Sequence, residues 1–593
     1  MYPRVKRIKR GDTVYEYVQL VTGERVAGRV MQRVVATLGR LDALKASGEL
    51  DRLAGAFARL DPPPVGTRRE VGPLLLVHAV LARLGIAQSV DRLAPVRGSA
   101  LLSHGEVIEA LVVNRLCAPA PLYDVSGWAS SAALHELLGV PAALLNDDRL
   151  GRALEALAPI AELVRGEVAL RAAQRFEVDV SRLHVDLTKI RVAGAYLDST
   201  LVAKGWGPDR KVARQVQALQ AVSSDGVPLY VRPYGGSAAD VSALGESFER
   251  LRELFPAAGV MIADSALGNV KNLCDAQRAG VKFIVPLRAG SDFLALYFQR
   301  VTPEQMRPLR YAPARQARLR ARERDHYRGC LIDWPVQDAV NGVTHAFRIA
   351  FIHSSEEQRS VAEGRERALT RAEAALLRIR NGLGGRYYKT AADVRKRVAQ
   401  VIPSTLEPLL HVTIGGSERA PSIDWHRNDI AIARAAASDG IYALATNLPA
   451  RNLRAIGVLR AYKAQEIVER RNHDAKGTLR VRPIFLHNDD RITALISIVG
   501  LALLIFGLIE ANLKRTIHPS THLPGLLPEH RTAKPTGANI LRAFEHLAAT
   551  YTRHGLQLDP LTTTQRTILA HLDIPLPWPE QTDHATNKRG KRV

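Results

Sequence analysis

Three acidic residues occupy positions from which a carboxylate could act on a bound ligand. Asp186 lies in the run LHVDLTKI, whose alternation of apolar and polar residues predicts a strand. Asp264 directly follows the apolar run 259–263, and α/β sheets build ligand sites at the carboxyl ends of buried strands. Glu469 lies in the predicted helix AYKAQEIVERRNHDAKG. Position alone leaves the ordinary readings open, which are a solvated strand acid, a helix cap and a solvated helix face.

The helix around Glu469 carries a pattern that a solvated face does not explain well. Tyr462, Gln465, Glu469 and Lys476 are separated by 3, 4 and 7 residues. Residues at these offsets lie along one stripe of a helix. The spacing therefore predicts one polar stripe on the helix, for which a solvated face remains the alternative.

The elements that would position these acids form an α/β pattern. Between 176 and 290, five strand-like runs alternate in part with two helical runs, which predicts a mixed sheet. Residues 291–428 are rich in Arg and contain strand-like runs around a charged helix. The sheet pattern returns at 429–513.

Two regions precede the α/β pattern and one follows it. Residues 1–65 alternate with period two and carry Arg and Lys, which predicts a small basic β module. Residues 66–175 are predicted to be a helical domain, with a capping box at Ser103 and a second cap at Asn146 or Asp147. Whether this domain contacts DNA stays open. Residues 514–593 end in NKRGKRV and are expected to form a loosely packed basic tail.

Composition narrows the class of partner. The chain has 593 residues, 46% of them hydrophobic and 24% charged, which predicts several globular domains. Its 82 basic and 59 acidic residues give a net charge of +23, and most of the basic residues are Arg. Because Arg suits phosphate, a polyanion such as nucleic acid is the expected partner. Three widely spaced cysteines provide neither a disulfide framework nor a zinc ribbon, which fits a reducing cytosol.

One segment challenges the expectation of a soluble protein. The run 492–509 is 18 residues long and contains no charge, which meets the lower length for a membrane span. A helix buried at the centre of a large protein has the same composition. We expect the buried helix, packed behind the predicted α/β sheet, because the chain carries no second such segment. The start of the chain does not have the pattern of a signal peptide.

Taken in order, these motifs resemble the DDE transposases of bacterial insertion sequences, in particular the insertion-sequence-four superfamily. That superfamily carries the signature Tyr-x2-Arg-x3-Glu-x6-Lys, which Tyr462, Glu469 and Lys476 match, while Gln465 replaces the Arg. The likeness covers most of residues 10–510, through TLGR, NDDRLGRAL, HVDLTKI, KGWGPDRK, DGVPLYVRPYGGSAAD, IADSAL and DGIYALATN.

The resemblance implies an α/β fold with an RNase H-like catalytic core in two parts, 176–290 and 429–513, interrupted by a β-rich insertion at 291–428. It also implies that Asp186, Asp264 and Glu469 are the catalytic acids and hold two Mg²⁺ (or Mn²⁺) ions. Attack on a phosphodiester requires an activated oxygen and a neutralised leaving oxygen, which two metal ions provide. Hard oxygen ligands suit Mg²⁺, so the acids would hold metal rather than transfer protons.

The implied activity is cleavage at the terminal inverted repeats of the element and joining of the 3′-hydroxyls to target DNA. The implied partner is double-stranded DNA, on which the protein would bind as a homodimer. No membrane is expected as a partner. The expected location is the bacterial cytoplasm, at the nucleoid. The expected DNA-binding residues are Tyr462, Gln465, Arg470, Arg471 and Lys476, with the two Arg as substitutes for the missing signature Arg. The alternatives are another RNase H-like nuclease, an inactive DNA-binding descendant of a transposase and, with least support, a membrane protein.

Overall fold

A computed structural model describes the chain at residues 2–11, 13–26, 29–46, 63–96, 100–196, 198–206, 211–236, 240–256, 259–265, 268–288, 291–316, 319–449, 451, 453–479, 484, 486–518 and 521–581. The chain divides into two compact units. The first comprises Met1–Val168, Thr478–Arg480 and Asp490–Val593, and the second comprises Ala169–Gly477 and Val481–Asp489. The second unit is therefore inserted into the first along the chain.

The secondary structure is mixed. The strands are β1 (Tyr2–Arg10), β2 (Thr13–Val26), β3 (Arg29–Arg40), β4 (Arg68–Glu70), β5 (Arg182–Arg191), β6 (Ala203–Trp206), β7 (Val212–Ser223), β8 (Pro228–Tyr234), β9 (Val260–Ala263), β10 (Phe283–Pro286), β11 (Arg307–Leu309), β12 (Tyr327–Gln337), β13 (Thr344–Ser354), β14 (Leu410–Ser417), β15 (Ala420–Arg427), β16 (Ile441–Thr446), β17 (Ala548–Thr552) and β18 (Gly555–Leu558). The α-helices are α1 (Leu41–Ala46), α2 (Leu74–Leu84), α3 (Ile86–Leu93), α4 (His104–Cys117), α5 (Val125–Ser131), α6 (Leu134–Leu138), α7 (Asp147–Leu157), α8 (Ala161–Arg175), α9 (Asp240–Leu254), α10 (Val270–Arg278), α11 (Ser291–Arg300), α12 (Ser355–Asn381), α13 (Ala391–Val401), α14 (Asp429–Ala436), α15 (Ala455–Lys463), α16 (Glu466–Lys476), α17 (Asp489–Thr516), α18 (Gly537–Arg542) and α19 (Thr563–His571).

The first unit opens with a small antiparallel sheet, as the sequence predicts. Strand β2 pairs with β1 on one side and β3 on the other. Lys6, Lys9 and Arg33 on the outer strands are exposed. The sheet therefore presents positive charge to solvent.

The helices that follow begin where the sequence predicts caps. The Ser103 hydroxyl accepts a hydrogen bond from the Glu106 backbone N–H at 3.1 Å, and the Glu106 carboxylate accepts one from the Ser103 N–H at 2.6 Å. The Asn146 side chain accepts a hydrogen bond from the Arg149 N–H at 2.9 Å, so Asn146 rather than Asp147 caps α7. These contacts satisfy backbone donors that the first helical turn leaves open.

The C-terminal segment is folded where the structure describes it, and the expectation of a loosely packed tail is corrected for residues up to 581. Strand β17 pairs with β4 and with β18 in a three-stranded sheet. The Arg68 guanidinium lies 2.6 Å from the Asp559 carboxylate, and Ile540, Phe544 and Ile568 are fully buried. The partner strand lies some 480 residues earlier in the chain, so a local pattern could not reveal the pairing. The NKRGKRV terminus lies outside the described residues.

The apolar run forms the centre of α17, a 28-residue helix. Of the described helices it is the one long and apolar enough to cross a membrane by length and composition, and 94% of its apolar window is buried. The bent pair α2 and α3 would be a second if counted as one span. Burial agrees with the prediction of a core helix. The packing differs, because α17 packs within the first unit, where Ser497 contacts Arg165 and Glu510 accepts a hydrogen bond from the Gly537 N–H at 2.9 Å.

The second unit is built on one mixed sheet. Its described strands form a ten-stranded sheet in the order β11-β12-β13-β16-β10-β9-β5-β7-β6, with β8 also paired to β7. Strands β5, β9 and β10 are parallel neighbours, and every residue of β10 is buried. Strands that are covered on both faces have continuous apolar sequences. The apolar runs at β9 and β10 have this pattern and predict both strands. The five strand-like runs predicted between 176 and 290 correspond to β5, β7, β8, β9 and β10.

Residues 291–428 are only partly separate from this sheet. The sequence analysis assigns β12 and β13 to an insertion, whereas the structure pairs β12 with β13 and β13 with β16 of the sheet. Phe347, Ile349, Phe351, Ala350 and Ile352 on β13 are buried on both faces, as expected of an inner strand. The remainder, α12, α13 and the hairpin β14-β15, has its own apolar cluster.

Candidate active site

The parallel pairing of β5 and β9 places the first two predicted acids side by side. Val185 pairs with Ala263 at the end of this ladder, so the next residue on each strand is Asp186 and Asp264 respectively. Neighbouring strands are separated by about 4.8 Å. Asp186 lies in the middle of β5 and Asp264 directly follows the last residue of β9, so the two carboxylates lie side by side at the edge where β9 ends.

Helix α16 brings the third acid to this edge. It packs on β5 and β7, and the charge of Glu469 acts on the Asp186 carboxyl together with that of Asp264. The helix is joined to β5 by a direct contact, because the Asn472 amide Nδ2 donates a hydrogen bond to Asp186 Oδ2 at 2.7 Å. The structure thus groups the three acids that the sequence singles out.

The electrostatics of this group are unfavourable without a cation. Burial, together with the smaller effect of the negative charges of Asp264 and Glu469, raises the pKa of Asp186 to about 6. A hydrogen bond from the Leu187 backbone N–H and the positive charge of Lys476 offset only part of this effect. Carboxylates that destabilise one another in this way are typical of functional sites.

Tyr462 lies beside the acids, as the stripe predicts. Burial raises the pKa of its hydroxyl, and the charges of Asp264 and Glu469 raise it further. The expected single helix is wrong in one respect, because α15 ends at Lys463 and α16 begins at Glu466. The Lys463 ammonium lies over the Tyr442 ring, 5.5 Å from its centroid, which anchors the junction.

Comparison with known families agrees with this geometry. The sequence matches the family described as transposase DDE domain over residues 181–505, which is more than half of the chain. The chain belongs to the DDE transposase family. The transposase also matches an IS1634 family transposase N-terminal domain at residues 3–62 and a domain of unknown function (DUF4277) at 67–162. No curated protein matches the chain.

The family establishes the class of enzyme. The chain is a metal-dependent DNA transposase of the DDE type from an insertion sequence, with the RNase H-like α/β fold that this domain implies. The family binds DNA and generally uses divalent metal ions as its cofactor. The prediction of a transposase is thereby confirmed.

The residues predicted to contact DNA occupy different environments in the transposase. Arg470 is exposed and Lys476 is half-buried near Asp186. Arg471 is 2% exposed; its Nε donates to the Gly226 carbonyl at 2.7 Å and its Nη1 to Asp474 at 2.8 Å. The expectation that Arg471 contacts DNA is therefore corrected, since this guanidinium ties α16 to the turn between β7 and β8. Gln465 is half-buried at the start of α16.

The surroundings of Asp186 fit a divalent cation. Three carboxylates supply the hard oxygen ligands that Mg²⁺ and Mn²⁺ prefer. Two amide oxygens nearby, Asn472 Oδ1 and Gln220 Oε1, are buried and have no hydrogen-bond partner among the described residues. Gln220 pairs directly with Asp186 across β5 and β7. An excess of acceptors over donors is the environment in which a cation is stabilised.

Neither amide was found by sequence reasoning. Gln220 lies inside a strand that reads as ordinary, and only the pairing of β7 with β5 gives it meaning. Asn472 did offer a signal, because it follows Glu469 by three residues and so shares its helix face.

A second cluster in the catalytic unit has the composition of a metal site. One ligand atom from each of Cys274, Asp338 and His345 lies within 4.8 Å of the others. The Arg278 guanidinium already neutralises Asp338, whose other oxygen accepts a hydrogen bond from the Val340 N–H at 2.9 Å. The cluster therefore joins α10 to the β12-β13 hairpin as a hydrogen-bond network.

Proposed function

We propose that this transposase binds the terminal inverted repeats of its insertion sequence, cleaves the ends and joins the 3′-hydroxyls to target DNA. We place it in the insertion-sequence-four superfamily on Tyr462, Glu469 and Lys476. In this proposal Asp186, Asp264 and Glu469 hold two Mg²⁺ or Mn²⁺ ions.

One observation carries the proposal. The register of β5 against β9 makes Asp186 and Asp264 neighbours, and α16 adds Glu469 at the same edge of the sheet. Among the described residues, the cluster whose ligand atoms all lie within 4.8 Å of one another is that of Cys274, Asp338 and His345. The three acids are spaced more widely than this.

The chemistry follows from the residues around this edge. Two bound ions would activate the attacking oxygen and neutralise the leaving oxygen. The acids supply the negative charge that would hold them. Lys476 lies close enough to affect the Asp186 charge, so its ammonium can contact a DNA phosphate at the same place. Exposed Arg470 extends the positive surface of α16.

Binding of the duplex draws on charge elsewhere in the chain. The net charge is +23, and the N-terminal sheet exposes Lys6, Lys9 and Arg33. Phosphate contacts of this kind position a protein on DNA without reading its sequence. Joining two ends requires two active sites, so we propose a homodimer on DNA, in the bacterial cytoplasm at the nucleoid.

The test compares Asp186→Asn, Asp264→Asn and Glu469→Gln with a matched control, Glu466→Gln, which removes an exposed acid from the first turn of the same helix. Each of the three site variants should abolish nicking of terminal-repeat DNA and leave the gel shift largely intact, while the control nicks normally. Retained nicking in any site variant would contradict the site assignment. A strand-transfer assay with pre-cleaved ends separates a transposase of this mechanism from a simple nuclease, which would not join them.

A further inference from the structure

The Asn472 side chain donates a directed hydrogen bond to Asp186, and the proposed mechanism does not use this contact. Its side chain is 7% exposed, and its Nδ2 lies 2.7 Å from Asp186 Oδ2. A hydrogen bond to a carboxylate is short and directional because the acceptor is charged. The carboxylate also fixes the orientation of the amide, since the reversed amide would place its oxygen against the Asp186 oxygen.

The other end of the Asn472 amide gains nothing from this position. Its Oδ1 is buried and has no partner among the described residues, and a buried acceptor without a donor destabilises a fold. An apolar side chain of similar volume, such as Leu, would avoid this loss on the inner face of α16. Packing alone therefore favours a different residue, and the contribution of Asn472 is its N–H group.

We propose that Asn472 is a positioning residue of the metal site, which fixes the Asp186 carboxylate in the orientation that binds a divalent cation. This inference rests on the proposed function. Asn472 holds one oxygen of Asp186 from the helix side, where Gln220 flanks the same carboxylate across the sheet. The Leu187 backbone N–H also donates to this carboxylate, and the remaining lone pairs of its oxygens can bind the cation. Partners that orient a metal ligand in this way commonly change metal affinity 10–100-fold when removed.

The experiment measures Mn²⁺ binding to the full chain without DNA, by calorimetry or by electron paramagnetic resonance. Asn472→Leu removes the donor and the unpartnered oxygen together, and we expect its Kd for Mn²⁺ to rise by about tenfold or more. The Mn²⁺ concentration that gives half-maximal nicking should rise by the same factor. Asn472→Gln, which keeps a carboxamide donor, should lose less affinity than Asn472→Leu.

His473→Leu is the matched control, because His473 is the adjacent exposed residue of α16. Its Mn²⁺ affinity should equal that of the unaltered chain. If Asn472→Leu does not fold, Asn472→Ser, whose hydroxyl is too short to reach Asp186, should show the same loss of Mn²⁺ affinity. Mn²⁺ affinity within twofold of the unaltered chain in the folded variant overturns the inference and leaves Asn472 a packing residue.

The two proposals fail separately. If Asp186→Asn binds Mn²⁺ as well as the unaltered chain, the metal site itself is misassigned and the proposed function fails. If Asp186→Asn loses Mn²⁺ and nicking while Asn472→Leu keeps both, only the role of Asn472 is wrong.

Discussion

Replacing Asp186 by Asn should stabilise the metal-free transposase while abolishing its activity. Burial and two neighbouring acids raise the pKa of this carboxyl from 3.8 to about 6, so the folded chain disfavours its ionised form. Below pH 3.8 the carboxyl is protonated in both the folded and the unfolded chain, and the substitution should change little. Between pH 3.8 and 6 the unfolded chain ionises first, and the destabilisation grows. Above pH 6 it is fully present.

The magnitude follows from the pKa. At about 1.4 kcal/mol for each pH unit, the ionised carboxylate destabilises the folded catalytic unit by at most about 3 kcal/mol, and solvent reaching part of the side chain reduces this figure. For a unit of roughly 300 residues the entropy of unfolding is about 0.6 kcal/mol/K, so Asp186→Asn should raise the apparent Tm by up to about 5 °C. Thermal scans in EDTA at about pH 8 and about pH 4 provide the measurement.

Asp333→Asn is the control, because the Asp333 side chain is 87% exposed. Its Tm should follow that of the unaltered chain at both pH values. Adding Mn²⁺ at pH 8 should reverse the order, since only the chain with an intact site gains stability from the ion. An Asp186→Asn variant that melts with the unaltered chain at pH 8, or whose advantage persists at pH 4, would refute this reasoning.

Three further outcomes are expected. Arg471→Ala should destabilise the catalytic unit by about 3–5 kcal/mol in urea unfolding because it removes the buried guanidinium that pairs with Asp474 and with the Gly226 carbonyl. Arg470→Ala should weaken the gel shift with little change in stability, and equal stability of the two variants would contradict the assignment. DNA affinity should fall by a factor of about 10³–10⁵ between 50 and 200 mM salt if some 6–10 phosphates are contacted. An affinity that does not change with salt would contradict contacts to DNA phosphates. Leu503→Asp, at a fully buried position of α17, should prevent folding of the first unit, seen as loss of near-ultraviolet circular dichroism. If instead the unaltered protein sediments with membranes and resists high-salt extraction, α17 is a membrane span.

The acids could be found from the sequence because their signals are local. Asp186 and Asp264 stand in or directly after short apolar strands, and Glu469 stands in a spaced helical pattern. The Ser103 capping box is equally local, since donor and acceptor are three residues apart. The capping box was therefore predicted correctly, and the assignment of the three acids as catalytic stays a prediction.

Features that depend on distant residues were missed. Asn472 contacts Asp186, 286 residues earlier, and the buried Arg471 donates to the Gly226 carbonyl, 245 residues earlier. The same holds for β13, whose membership of the central sheet depends on pairing with β16. Hydrophobic period identifies a strand but does not choose its neighbours, so these contacts required the structure.

The pairing of β4 with β17 affects how the protein is made. A ribosome releases β4 some 480 residues before β17, and at about 5–20 residues per second that delay is roughly 25–100 s. During that interval the whole catalytic unit emerges and can fold, while an edge of the N-terminal unit has no strand to pair with. Premature termination would therefore leave the N-terminal unit incomplete even though its own segment had been translated first. A shortened copy of the gene would yield a protein with its catalytic residues present and its other unit unfinished.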